Sequence, residues 1–129
     1  MISASENKQF VARYVEALSG NAKTPELVAR FVSDTGLAEH IQQAEAGFPS
    51  YEILVDELIA ERDLVALRGT FRGVHRGTFA GIGPTGRQVS AGLMITYRLA
   101  GDRIVEHWMQ FDGAGLMSQL TEAQTARAS

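Results

Sequence analysis

The chain has 129 residues, 45% of them hydrophobic, and its 12 Lys+Arg against 15 Asp+Glu give a formal net charge of −3. A chain of this size is expected to fold as one domain, residues 1–129, burying about two-thirds of its surface. Its charge offers no basic field for a phosphate backbone, so nucleic acid is not an expected partner. It contains no cysteine, which excludes disulfides, a thiolate zinc site and a Cys nucleophile. No stretch approaches the ~20 apolar residues of a membrane span, and the first residues lack a signal-peptide pattern, so no membrane partner is expected and the chain is read as soluble and cytoplasmic.

Apolar residues Phe10, Val11, Tyr14, Val15 and Leu18 recur at spacings of three and four between Glu6 and Leu18, predicting an amphipathic helix with Ser3 or Ser5 as its cap. A second, short helix opens at Thr24-Pro25-Glu26 and carries Leu27, Val28, Phe31 and Val32 on one stripe. A third is expected over Ala38 to Ala46, stopping at Gly47 before "FPS". The pattern then changes. Residues 51–59 read as a strand from their β-branched content, "ERD" at 61–63 as a hairpin turn, and Leu64 to His75 as a long alternating strand. Segments 87–99 and 103–111 are two more strands, joined by Ala100-Gly101-Asp102. "GAGLMSQL" closes the chain as a short helix, followed by a frayed tail over 121–129.

Helices followed by antiparallel strands predict an α+β fold in which a curved sheet wraps the helices and leaves a cavity for a small ligand. "GIGPTG" at 81–86 matches the spacing of a dinucleotide-binding loop, but a proline sits inside it and a strand, not a helix, is expected to follow. It reads as a turn, and no NAD or other cofactor is implied. His40, His75 and His107 lack metal-ligand spacing, so no metal is expected, and each reads first as a hydrogen-bonded structural residue. Tyr14 and Tyr51 could turn phenol hydroxyls towards the cavity, with Phe48 and Met94 as apolar walls.

In "EHWMQFD", 106–112, a regular strand puts Trp108, Gln110 and Asp112 on one face and His107, Met109 and Phe111 on the other, unless a bulge reverses the phase. From spacing alone Asp112 reads first as a cap for the glycine-rich segment after it. The functional reading is a carboxylate at the cavity wall, desolvated beside Trp108 and suited to moving a proton.

Residues 63–120 resemble the SnoaL-like polyketide (ester) cyclases of the NTF2-like superfamily. The resemblance is carried by Gly73-Val74-His75-Arg76-Gly77-Thr78-Phe79-Ala80-Gly81, by Pro84-Thr85-Gly86-Arg87, by Gly101-Asp102-Arg103-Ile104-Val105-Glu106-His107-Trp108 with Asp112, and by Gln119-Leu120. It implies an NTF2-like (cystatin-like) α+β barrel, a homodimer through the sheet, and cofactor-free aldol ring closure on an aromatic polyketide ester. It also assigns the general acid/base role to Asp112. Ser50 and Val74 depart from the family pattern. The expected site is therefore Asp112 with His75 as catalytic groups, and Trp108, Gln110, Met94, Phe48, His40, Tyr14 and Tyr51 around the substrate. The sheet face bearing Val65, Leu67 and Phe71 is expected to be covered by the dimer partner. Two alternatives stand beside an enzyme of this kind: a non-catalytic protein holding a hydrophobic ligand, and an isomerase or epoxide hydrolase on the same scaffold.

Overall fold

Ser3 starts the first helix, α1 (Ala4–Leu18), with a capping box: its hydroxyl accepts from the Glu6 amide while the Glu6 carboxylate reaches back to the Ser3 amide. A computed structural model describes the backbone of residues 3–128 and the side chains of residues 3–121. Helix α2 (Pro25–Ala29) is short, capped by Thr24 with proline at its first position. Helix α3 runs over Thr35–Gly47, starting three residues earlier than its apolar pattern suggests, because Asp34 caps it by accepting from the amides of Gly36 and Leu37.

Four strands follow, β1 (Glu52–Glu61), β2 (Leu64–Val74), β3 (Gln88–Ala100) and β4 (Arg103–Phe111), in one antiparallel sheet of order β1-β2-β3-β4. Segment 51–59, which helical spacing also fitted, is a strand. Opposite Gly69, a bulge between Val55 and Glu57 brings the β1 backbone so close that a Cβ on Gly69 would collide with the Leu54 carbonyl. Glycine there lets the sheet bend around the helices. Helix α4 (Gly113–Ala128) closes the chain. It is longer than the short helix expected, and its backbone enters the segment read as a frayed tail, most of whose side chains lie outside the described residues.

The inner face of the sheet packs on α1, α2 and α3. Val11, Val65, Leu67 and Ile104 are fully or almost fully buried between these layers, each stabilising the fold by roughly 1.5–3 kcal/mol. A second cluster of Phe48, Tyr51, Val89, Ala91, Leu116 and Leu120 joins α3 and α4 to the sheet. Val65 and Leu67 thus belong to the core and Phe71 packs against it. This corrects the expectation that they face a partner, because the helices already cover that side.

A second bulge decides the orientation of β4. Arg98 pairs with Glu106 but Leu99 pairs with Ile104, leaving Val105 as an extra residue. Ile104 points into the core, and the alternation reverses across Val105, so His107, Met109 and Phe111 share the inner face. The loop 81–86 leads into β3, as expected of a turn between strands, and is pinned by Thr85 and Gly86 to His75. Among the described residues no helix is long and apolar enough to cross a membrane.

Candidate functional site

Between the helices and the inner face of the sheet lies a cavity of about 330 Å³, open at one side. Its walls are apolar: Leu18 and Val15 from α1, Leu37 and Ile41 from α3, Ile95 and Met109 from the sheet, and Phe48, Phe71 and Phe79 stacked edge to face. This is the size and character of a small-molecule site.

Besides Ser19 and Gln43, three sets of polar groups stand in or beside this wall. Tyr14, Tyr51 and Tyr97 are buried phenols, Tyr14 and Tyr97 meeting edge to face with ring centroids 5.7 Å apart. Burial, foremost, holds all three hydroxyls above the ordinary tyrosine range, with Tyr97 adding to the rise at Tyr14, Tyr14 and Glu45 at Tyr51, and Tyr51 at Tyr97, where the hydrogen bond with Tyr14 works against it. They stay protonated and cannot accept a proton from carbon. Tyr14 and Tyr97 hydrogen-bond to each other, so two of the three hydroxyl hydrogens remain to be donated to an oxygen in the cavity.

Lys23 is the second. Its ammonium is buried and lies 3.8 Å from the Tyr51 ring centroid. It donates to the carbonyls of Asn21 (2.9 Å) and Tyr51 (2.7 Å) and to Glu45 Oε1 (3.4 Å). Desolvation lowers its pKa against the opposing pull of Glu45. With three acceptors for three N–H groups, it ties the α1–α2 connection to the start of β1 and to α3.

The third set stands at the opening. His40, on α3, is exposed and lines the cavity. Its Nδ1 lies 3.4 Å from Nε2 of His107, and the two rings meet at 86°. His107 Nδ1 is 2.7 Å from Asp34 Oδ2. Partial burial works against ionisation of Asp34, but hydrogen bonds from His107, Leu37 and Gly36 and the His107 charge outweigh it, holding the carboxyl below its usual range. Local folding makes this cluster: the Ser33 and Asp34 amides donate to the Ile104 carbonyl and seat the α3 cap on the edge of β4. The Val105 bulge then turns His107 inward to meet it.

Among the expected site residues, His40, Tyr14, Tyr51 and Phe48 line the cavity together. Others stand elsewhere. Trp108 is 50% exposed and Met94 58% exposed, and with Gln110 they line a shallow groove on the outer face of the sheet. The even-numbered side chains of β4 beyond the bulge face away from the helices, which overturns the expected inward face of Trp108, Gln110 and Asp112. Asp112 is exposed and not on the cavity wall. Its Oδ1 accepts from the Gly115 amide at 2.8 Å and its carbonyl from Leu116, so it caps α4. The capping reading taken first from spacing describes its place. His75 is fully buried behind Phe48, its Nδ1 accepting from the Thr85 amide at 3.2 Å, and does not line the cavity.

Sequence reasoning missed Asp34, Lys23 and Tyr97, and set His107 on the face away from the site. "SDTG" at 33–36 is a helix-start signal that could have placed Asp34. Nothing local marks Lys23 as buried.

No curated protein matches the chain significantly. Among solved structures it is similar to AclR of Streptomyces galilaeus, described provisionally as a hydroxylase, at 25% identity over 98% of this chain and 92% of that one, with a TM-score of 0.79. It is also similar to IdmH of Streptomyces antibioticus, described provisionally as a polyketide cyclase, at 25% identity over 89% and 98% of the two chains, with a TM-score of 0.73. A provisionally described polyketide cyclase of Acidithiobacillus ferrooxidans shares the fold at 19% identity, covering 91% and 95%, with a TM-score of 0.78. The sequence profile of SnoaL-like polyketide cyclases matches residues 3–120, and on that match the chain belongs to the SnoaL-like polyketide cyclase family.

Proposed function

We propose that the cavity takes a flat, hydrophobic, polyketide-like carbonyl compound and closes a ring in it by a cofactor-free aldol step. A proton leaves the carbon alpha to one carbonyl, the enolate carbon attacks a second carbonyl, and the new alkoxide takes a proton. The observation that carries this reading is the oily cavity of about 330 Å³ with three neutral phenols in its wall. Such donors, placed in a water-poor site, stabilise enolate and alkoxide oxygens more than water does. The test is incubation with an aromatic β-keto ester bearing a pendent ketone, no cofactor added, followed by chromatography. A ring-closed isomer of unchanged mass is expected. An absence of both binding and product would end the reading.

A second reading, a non-catalytic binding protein, is favoured by the position of Asp112 as a helix cap. Saturable binding with the compound recovered unchanged would select it.

We also infer a homodimer through the outer face of the sheet. One cross-strand row there is Ile59, Ala66, Thr96 and Trp108, with Met94 in the next row. Ile59, Met94 and Trp108 are all more than half or about half exposed, leaving an apolar patch that a second copy would cover. Sedimentation of a monomer at high micromolar concentration would remove this assignment.

A further inference from the structure

We propose that His40 is the residue that moves the proton in this cavity, with His107 and Asp34 as positioning residues that fix its tautomer. The proposal rests on the reading of the cavity as a site for an enolisable carbonyl compound. It stands on the chain of contacts Asp34 Oδ2, His107 Nδ1, His107 Nε2 and His40 Nδ1, with steps of 2.7 Å and 3.4 Å, ending at a ring that lines the cavity.

The direction of each hydrogen bond follows from the first. An ionised carboxylate only accepts, so His107 Nδ1 must carry a hydrogen and donate to Asp34. In neutral His107 this leaves a lone pair on Nε2, which makes His40 Nδ1 the donor in the second contact. Neutral His40 then has its own lone pair on Nε2, and no hydrogen bond among the described residues occupies that atom. Asp34 is itself held: its other oxygen accepts from the Gly36 and Leu37 amides, so the carboxylate cannot swing away without uncapping α3.

The step balances without a redox partner. The alpha C–H bond breaks, its electron pair stays on the substrate as the enolate, and the proton bonds to His40 Nε2. The imidazolium so formed can pass its Nδ1 proton to His107 Nε2, which places the positive charge against Asp34. After the enolate carbon has bonded to the second carbonyl, the protons return along the same line and His40 Nε2 delivers one to the alkoxide. The three phenols cannot serve as the base because burial keeps them protonated. Lys23 spends its donors on Asn21, Tyr51 and Glu45.

The experiment uses 2-acetylnaphthalene, a flat enolisable ketone, in D₂O, reading methyl-proton exchange by NMR and binding by fluorescence. The wild-type chain is expected to bind the ketone and speed exchange. His40→Ala should reduce the accelerated exchange by about 10² to 10⁴, with the dissociation constant changed by less than about threefold. Exchange that persists in His40→Ala overturns the proposal and leaves the cavity reading standing; no binding to the wild type overturns that reading and the proposal with it. Asp34→Asn keeps an oxygen for the α3 cap but presents an amide N–H to His107 Nδ1, reversing the tautomers along the chain. It should lose exchange as His40→Ala does while staying folded. Nitrogen-15 spectra at a pH above the imidazole range should show Nδ1–H tautomers for His40 and His107 in the wild type and Nε2–H in Asp34→Asn. Finding both already Nε2–H in the wild type would overturn the proposal.

Discussion

The two faces of one sheet carry large apolar residues to opposite ends. On the inner face, the row Leu58, Leu67, Ile95 and Met109 lies against the helices, and the next row ends in Tyr97 and His107. On the outer face, Ile59, Met94 and Trp108 stand among exposed ion pairs: Arg68 with Glu57 and Asp56, Arg98 with Asp63 and Glu106. The Arg98 guanidinium lies 5.6 Å from the Trp108 ring. Size and hydrophobicity therefore do not say which face is the core. The cover supplied by the helices decides it, and the bulge at Val105 sets the phase.

The largest expected effect that would break this contrast is at Phe48. Its ring is fully buried, with Phe71 and Phe79 edge-on to it and His75 at 5.3 Å. Phe48→Ala should destabilise the fold by about 3–5 kcal/mol in denaturant titration. Trp108→Ala removes no core contact and should change the stability of the isolated protomer by about 0.5 kcal/mol or less, its effect falling on self-association. Equal losses for the two would mean that the faces are not distinct.

Lys23 sharpens the contrast from the polar side, as a cation inside the oily half of the molecule. Lys23→Met keeps most of the volume but leaves the Asn21 carbonyl and Glu45 without the ammonium. A loss of about 1–3 kcal/mol is expected from these abandoned acceptors. An unchanged denaturation midpoint would show that water replaces the ammonium at no cost.

Most of the fold was legible because its signals are local. The apolar stripe of α1, the Thr24-Pro25 start of α2 and the alternation of Leu64 to Val74 each depend on a few neighbouring residues. The site was legible only in part. Tyr14 and His40 sit on helices α1 and α3, Phe48 and Tyr51 in the short connection from α3 to β1, and all four reached the cavity. Trp108 and Gln110 did not, because a one-residue bulge flips every side chain beyond it and leaves no mark in composition. Met94 did not because it alternates with the buried Leu93 and Ile95 on the regular strand β3. His107 meets Asp34 across 73 positions, a contact created by seating the α3 cap on β4.

Asp112 separates a cap from a catalytic group at the point where the inner face ends. Asp112→Ala should cost about 1 kcal/mol through loss of the bond to the Gly115 amide. Asp112→Asn, which keeps an accepting oxygen, should cost less, and both should turn over a responsive substrate as the wild type does. A large loss of turnover in Asp112→Asn with the fold intact would restore the acid/base role to this residue and displace His40.

The smallest effect is confined to acid and concerns the junction that brings His107 to the inner face. The Asp34 carboxyl is held below its ordinary value of 3.8, so its ionised form is favoured in the folded chain. The stability this contributes is fully present above the unfolded value and is lost as the pH falls through the lower, folded one. Asp34→Asn retains an oxygen for the Gly36 amide and should match the wild type near this acid limit, yet lack the portion of the wild-type decline that Asp34 supplies. Stability curves for the two chains should therefore converge as the pH drops below about 3.8. Curves that stay parallel through that window would mean that the His107 contact contributes nothing to holding α3 on the edge of β4.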